Sequence, residues 1–260
     1  MIHPTAVISG QVEIDPSAQI GPWCVLEGEI RIGPRTRLMN GVSLQGKVTI
    51  GADNHFGAHA VIGGEPHDQA YGGEATEVVI GDRNHVFEFV TIHRGTTRRH
   101  GRTVLGDDNF IMAYVHLAHD VEVGHHCRIT SYTGIAGLCT IDDHAVIAGM
   151  VGMQQYVRIG AYSFVSAMSA VAQDVLPYSI AYGSEGLSRL RGANLIGLKR
   201  HGFTREDIDI ARHLLERFQG TDKSLAQVIA DAEADFDPAH PVVRRVLDFV
   251  RAPSVHGVTR

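Results

Sequence analysis

The chain has 260 residues, of which 44% are hydrophobic and 20% charged, as in ordinary soluble globular proteins. Its formal net charge of −6 gives no indication of binding to nucleic acid or to an anionic membrane. No apolar run approaches the roughly 18 residues of a membrane span. The N-terminus also lacks the basic and apolar segments of a signal peptide, so we expect a cytoplasmic protein.

A large apolar residue recurs at every sixth position over most of the chain. The first series is Ile2, Ile8, Ile14, Ile20, Leu26, Ile32, Leu38, Leu44, Ile50, Phe56 and Ile62. The second series is Leu105, Ile111, Leu117, Val123, Ile129, Ile135, Ile141, Ile147, Met153, Ile159, Val165 and Val171. A period of six fits neither a helix nor a simple strand, and it is typical of a parallel β-helix of hexapeptide repeats. Three repeats would form one triangular coil, with successive coils about 4.8 Å apart.

The residue four positions after each large apolar residue is often small or β-branched, and we expect it to point inward too. Cys24, Cys127 and Cys139 all occupy this position. Their spacing matches neither a CxxC motif nor a zinc site. We therefore interpret them as reduced thiols in the core.

The repeat is interrupted at about 63–79 and again at about 94–103. A regular solenoid has no need of loops, so insertions usually carry binding or assembly. Both insertions precede the stretch VHLAHDVEV at 115–123 and could fold towards it. We assign residues 1–189 to the β-helix, including these two loops.

After Pro177 the apolar spacing becomes helical, beginning with the stretch SRLRGANLIGLKRHG at Ser188. Thr204 and Ser224 are plausible helix N-caps. We predict a small α-helical domain over 190–260. It would cover the open end of the β-helix, because a bare terminal coil exposes strand edges. The predicted fold class is thus an all-β solenoid with a C-terminal helical domain.

His116 and His119 occupy outward positions of their repeats, so surface histidines, metal ligands and a catalytic base are all open interpretations. Some trimeric hexapeptide-repeat proteins, similar to gamma-class carbonic anhydrases, bind zinc through paired histidines five residues apart. No two histidines here differ by five, so we expect no metal. A neutral imidazole can take a proton from a hydroxyl at neutral pH, and Asp120 could orient His119 for that role. His126 and His144 are separated by one full coil, so we expect them to stack on the outer wall.

Several stretches resemble one family, the acyl-carrier-protein-dependent UDP-N-acetylglucosamine O-acyltransferases of lipid A synthesis. The matching stretches are IGDRN (80–84), VTIHRGT (90–96), HLAHD (116–120), VAQDV with PY (171–178) and GLKRHGF (197–203). The resemblance implies a left-handed β-helix and a homotrimer with active sites between adjacent subunits. It also implies transfer of an (R)-3-hydroxyacyl group from acyl carrier protein to the 3-hydroxyl of the UDP-sugar. No cofactor is implied.

By the same resemblance His119 is the general base, assisted by Asp120, and the backbone N–H of Gly137 is an oxyanion donor. The residues implied to contact the sugar nucleotide or its phosphates are Asp68, His116, Gln155, Asn194 and Arg200. Guanidinium pairs well with phosphate, which suits Arg200. A basic stretch could dock the acidic carrier protein, although it could equally be a solvated helix face. Its residues are Arg189, Arg191, Lys199, Arg200 and Arg205.

Some positions depart from the family pattern. They are Ala70 for Lys, Leu138 and Gln154 for His, Ile196 for Glu, and His201 for Arg. Loss of a cation and of hydrogen-bonding groups should weaken or redirect sugar-nucleotide binding. The alternatives are therefore N-acylation of a 3-amino analogue, or a non-catalytic hexapeptide-repeat binding protein. Bulk at Ala167 and Met168, which align with the family's acyl-length ruler, favours a medium acyl chain.

Overall fold

The computed structural model describes residues 1–184 and 187–260, which form strands followed by four helices. The first twelve strands are β1 (Val7–Ile14), β2 (Gln19–Ile20), β3 (Val25–Ile32), β4 (Arg37–Leu38), β5 (Ser43–Ile50), β6 (His55–Phe56), β7 (Val61–Gly64), β8 (Glu77–Ile80), β9 (His85–Val86), β10 (Thr91–His93), β11 (Arg102–Leu105) and β12 (Phe110–Ile111). The others are β13 (His116–Leu117), β14 (Glu122–Val123), β15 (Arg128–Ile129), β16 (Gly134–Ile135), β17 (Thr140–Ile141), β18 (Val146–Ile147), β19 (Gly152–Met153), β20 (Arg158–Ile159), β21 (Phe164–Val165), β22 (Ala170–Val171), β23 (Ser179–Ser184) and β24 (Leu187–Ala193). The helices are α1 (Leu195–Arg200), α2 (Arg205–Glu216), α3 (Leu225–Asp235) and α4 (Pro241–Arg251).

Strands β1 to β22 stack as parallel ladders in which each residue pairs with the one a full coil later. Leu117 pairs with Ile135 on the next coil, and Ile135 pairs with Met153 on the one after. The two insertions lengthen single coils without breaking the ladder, so that Val48 pairs with Val78 and Ile92 with Leu117. The predicted parallel solenoid of hexapeptide repeats is therefore confirmed.

The chain turns between faces at three corners, where the backbone is left-handed. The first corner carries Phe89, Tyr114 and Tyr132; the second carries Asp120, Leu138 and Tyr156; the third carries His126, His144 and Tyr162. Stacked rings line the first and third corners, with centroids 4.8 Å apart both for Tyr114 and Tyr132 and for His126 and His144. The expected stacking of these two histidines is confirmed.

The large apolar residues of the repeat fill one continuous core inside the prism. The three cysteines belong to this core, as predicted, and all are at most 1% exposed. The first coil is the exception, because no further coil of this chain stacks on it: Ile2 is 48% and Ile8 40% exposed. Burial elsewhere provides the main favourable free energy of the solenoid.

A ladder of buried asparagines also occupies inward positions. The side-chain oxygen of Asn54 accepts a hydrogen bond from the backbone N–H of Asn84 at 2.9 Å, and that of Asn84 accepts from Asn109 N–H at 2.9 Å. Asn109 then accepts from the N–H of Cys127 at 2.7 Å. Because every coil repeats the same geometry, each amide meets a matching partner one coil away, and its burial is compensated.

The C-terminal part begins with an antiparallel hairpin of β23 and β24, not with a helix. The helical interpretation of the stretch from Ser188 was wrong in its first half: β24 continues to Ala193 and α1 starts at Leu195. Pairing with β23 overrides the local helical spacing, and the Ser188 hydroxyl accepts a hydrogen bond from Ala172 N–H at 2.8 Å. The domain boundary placed at 190 stays a prediction.

The helices pack around a second apolar core that includes Leu198, Leu214 and Val246. Thr204 and Ser224 are the N-caps of α2 and α3, as predicted, and each also forms a capping box. The final residues return to the last coil, where Thr259 N–H donates to Asp174 O at 2.8 Å. The C-terminal residues therefore return to the last coil and pair with it.

Burial raises the pKa of the Cys127 and Cys139 thiols from 9.0 to about 12. At pH 8 we expect iodoacetamide to label them on the order of a thousandfold more slowly in the native protein than in urea, because burial disfavours the reactive thiolate. Mass spectrometry of labelled peptides measures both rates. Equal labelling with and without urea would contradict the inward placement.

Candidate active site

A groove runs along the outer face of the prism between the first and second corners. Its floor follows one register position through successive coils, where His116 pairs with Gly134, Gly134 with Gly152, and Gly152 with Ala170. A Cβ added at Gly134 or Gly152 would meet no atom within 4 Å, so packing within the chain does not require glycine there. The small residues leave a trough of about 490 Å³, lined also by Gln154 and other residues. The trough is large enough for a ligand.

His119 and Asp120 lie at one wall of this groove. The Asp120 carboxylate is fully buried and accepts a hydrogen bond from His119 Nδ1 at 2.9 Å. It also accepts from the backbone N–H and the hydroxyl of Thr96, at 3.0 Å and 2.6 Å. When the His119 ring donates its Nδ1 proton to Asp120, its Nε2 atom is left as an acceptor.

The second insertion is therefore part of the site. Its Thr96 binds the carboxylate of Asp120, and its Thr103 binds the backbone of Asp120. The Thr103 hydroxyl accepts from the N–H of Asp120 at 2.9 Å. Asp120 itself is a corner residue with φ of 59°, a conformation that aspartate tolerates better than most residues. Neither threonine was predicted as a site residue from the sequence, although Thr96 ends the stretch VTIHRGT.

His119 lies outside the apolar core, as its place in the repeat predicts, yet it is only 3% exposed. Its ring lies between Asp120 and Gly137, which is one coil further along the chain. A Cβ at Gly137 would come within 2.4 Å of the ring, so only glycine leaves room for the imidazole. The N–H of Gly137 donates to no protein acceptor within the described part of the chain.

Three further histidine rings meet at the end of the groove nearest the first insertion. His67 comes from that insertion, His93 from β10 and His116 from β13. Burial lowers the pKa of His93, and burial together with the neighbouring histidines lowers that of His116 to about 4. Both rings are therefore neutral at pH 7. Their convergence is not apparent from the sequence, because the three residues are far apart in the chain.

The residues implied to bind the sugar nucleotide divide into two groups. His116 and Gln155 line the groove. Asp68 lies beside His67 on the first insertion, with its carboxylate paired to Arg98 of the second insertion at 3.0 Å. This ion pair joins the two insertions above the site.

Asn194 and Arg200 belong to the other group and lie at the third corner, away from the groove of the same chain. The Asn194 side chain caps α1 and donates to Tyr162 O at 2.9 Å. The ring of His201, which follows Arg200, packs edge-on against His144 with centroids 4.8 Å apart. A larger cavity of about 680 Å³ near this corner, lined by Asp142 and Arg245, contains none of the predicted site residues.

The positions that depart from the family pattern are also dispersed. Gln154 lines the groove, and Leu138 is 5% exposed at the second corner directly after Gly137. Ala70 is exposed on the first insertion, and Ile196 is 69% exposed on α1. Met168, at the proposed acyl-length position, is exposed at the first corner.

The chain matches two family models. Residues 29–64 and 102–137 match the bacterial transferase hexapeptide repeat. Residues 174–259 match the second domain of UDP-N-acetylglucosamine O-acyltransferase. The repeat and the helical part therefore define a hexapeptide-repeat transferase that carries this C-terminal domain. Among the described residues no helix combines the length and the apolar character needed to cross a bilayer.

Curated relatives and solved structures agree with the family models. The acyl-[acyl-carrier-protein]--UDP-N-acetylglucosamine O-acyltransferase of Burkholderia orbicola is 46% identical over 263 residues, covering 100% of this chain and 99% of the relative. That of Xylella fastidiosa is 45% identical, covering 96% of this chain and 94% of the relative. The crystal structure of the Francisella novicida UDP-N-acetylglucosamine acyltransferase superimposes with a TM-score of 0.96 at 33% identity, covering 100% of this chain and 94% of that one. The chain belongs to the acyl-[acyl-carrier-protein]--UDP-N-acetylglucosamine O-acyltransferase family.

Substituting Gly137→Ala tests the contact between Gly137 and the His119 ring. We expect the variant to lose about 1–3 kcal/mol of unfolding free energy, because the added methyl group must displace a buried ring. Gly134→Ala is the matched control on the same coil, where a Cβ meets nothing within 4 Å. Urea unfolding compares the two variants, and equal stability would contradict the close approach.

Proposed function

We propose that the protein transfers an (R)-3-hydroxyacyl group from acyl carrier protein to the 3-position of UDP-N-acetylglucosamine, with His119 as general base. The observation that carries this proposal is the His119–Asp120 pair at the wall of an open groove. A buried carboxylate that orients an imidazole next to a ligand-sized trough suits proton transfer. The donor and the acceptor are those named for the relatives, acyl carrier protein and UDP-N-acetylglucosamine.

In the proposed reaction His119 Nε2 accepts the proton of the sugar 3-hydroxyl as its oxygen attacks the thioester carbonyl. Asp120 stabilises the imidazolium that forms and holds the ring in one tautomer. Gly137 lies beside the His119 ring, and its N–H is available to donate to the oxyanion, a contribution of about 3 kcal/mol in comparable sites. The C–S bond then breaks, and the imidazolium returns its proton to the carrier's thiolate.

The proposal that acyl carrier protein is the acyl donor is supported by the charge of one surface of this chain. Arg189, Arg191, Lys199, Arg200 and Arg205 are all exposed in a chain whose net charge is −6. Only Arg205 of these has an ion-pair partner among the described side chains, Asp209 at 3.9 Å. Such a basic surface would attract an acidic carrier protein and accelerate its encounter.

Residues on opposite sides of one prism can share a site only when two chains meet. His119 lies in the groove, whereas Asn194 and Arg200 lie at the third corner. We therefore place each active site between adjacent subunits of a homotrimer, with the nucleotide phosphates held by Arg200 of the neighbouring chain.

N-acylation of a 3-amino sugar nucleotide is the second candidate reaction. It is supported by Gln154 in the groove and Leu138 beside Gly137, which stand where the family has histidines. Without the two histidine rings, different side chains would contact the acceptor sugar, which would change the 3-substituent that the site prefers. A non-catalytic binding role is less favoured, because binding alone does not need the buried His119–Asp120 pair.

The proposed reaction is tested by incubating the protein with 3-hydroxyacyl carrier proteins of several chain lengths and either acceptor. His119→Ala should lower turnover by about 10²–10⁴-fold. His213→Ala, at an exposed position on α2, is the matched control and should behave as wild type. Mass spectrometry distinguishes the ester from the amide product. If no product forms from either acceptor, or if His119→Ala is fully active, the proposal fails.

The shared site is tested by co-expressing His119→Ala and Arg200→Ala chains with different tags and purifying mixed trimers. Each variant alone should be impaired, Arg200→Ala mainly through a raised KM for the nucleotide. In trimers that contain both variants, about a third of the sites combine an intact His119 with an intact Arg200 from the next chain. Recovery of activity to that level supports the intersubunit site, whereas no recovery means that both residues act within one chain.

A further inference from the structure

The histidine cluster at the end of the groove is the feature that the proposed reaction does not use as a unit. His67, His93 and His116 each direct one ring nitrogen into a common space, and these nitrogens lie within 4.8 Å of one another. The rings are close as well, with centroids 4.1 Å apart for His67 and His93 and 5.1 Å apart for His93 and His116.

One ring nitrogen of two of these histidines is engaged by a neighbouring group. His93 Nδ1 bonds to the carbonyl oxygen of Glu65, and His116 Nδ1 lies 2.8 Å from the hydroxyl of Thr91. A carbonyl can only accept, so His93 carries its proton on Nδ1 and its Nε2 is a free acceptor. Metal-binding histidines in proteins are oriented by this kind of outer hydrogen bond.

We propose that His67, His93 and His116 form a binding site for a divalent transition-metal ion of the zinc class, with three imidazole ligands. Imidazole nitrogens are favoured ligands of Zn²⁺, Co²⁺, Ni²⁺ and Cu²⁺. Zinc with Zn–N distances of about 2.0–2.1 Å needs its nitrogens about 3.4 Å apart, so the rings must close slightly around the ion. His67 can supply that movement, because it lies on the exposed first insertion.

The site adjoins the groove, since His67 and His116 both line it together with His119. Three protein ligands leave at least one coordination position for water or for an oxygen of a bound ligand. The expectation of no metal depended on histidine spacing along the chain. It took no account of a third ring supplied by the first insertion, twenty-six residues before His93.

Metal binding is measured directly and does not depend on acyl transfer. The full chain is stripped with chelator, dialysed against Zn²⁺ and assayed for bound zinc by elemental analysis, and its affinity is measured by titration. Co²⁺ serves as a second probe, because its visible absorption reports three-nitrogen, near-tetrahedral coordination. The variant is His67→Gln, and His213→Gln, which removes an exposed histidine on α2, is the matched control for surface binding.

We expect the wild type and His213→Gln to hold one zinc ion per chain, and His67→Gln to bind at least about tenfold more weakly. His67 is exposed, so this variant should keep the wild-type melting temperature in the absence of metal, which separates lost ligation from lost folding. The proposal is overturned if the wild type holds no stoichiometric zinc, or if His67→Gln binds it as tightly as His213→Gln.

Discussion

Everything in the molecule depends on the hydrogen-bonded register between coils. Each inter-coil ladder places a residue directly above the one a full coil earlier, so a side-chain type repeated along the sequence becomes a column in space. Apolar columns become the core, asparagine columns satisfy their own amides, and glycine or alanine columns become the groove. A one-residue slip would turn inward side chains outward, and the continuous core opposes it strongly.

The site uses this regular scaffold for rigidity and the insertions for chemistry. The ladder holds His119 over Gly137, and the corner conformation of Asp120 turns its carboxylate towards the ring. Thr96 of the second insertion then donates two hydrogen bonds to the buried carboxylate. A short repeat alone offers no donors at that point, so the irregular segments complete what the regular ones position.

The proposed trimer and the proposed metal site concern different parts of the same groove. The trimer would complete the groove from outside, with Arg200 of a neighbouring chain. The metal site would lie at one end of the groove within a single chain, at His67 and the histidines of β10 and β13. Both place positive charge near His119, where a sugar nucleotide diphosphate would need it.

The period of six by itself determined the solenoid, its inward residues and the buried cysteines, because the stacking of coils depends on a repeat that is local in the sequence. The helix caps at Thr204 and Ser224 were also predictable, since capping is decided within four residues. Only the tertiary structure decided that Ser188 to Ala193 form a strand, because pairing with β23 is non-local. The same holds for Thr96 on Asp120 and for His67 beside His93 and His116. These contacts are made by residues on the two insertions, and the path of an insertion depends on packing that no repeat encodes.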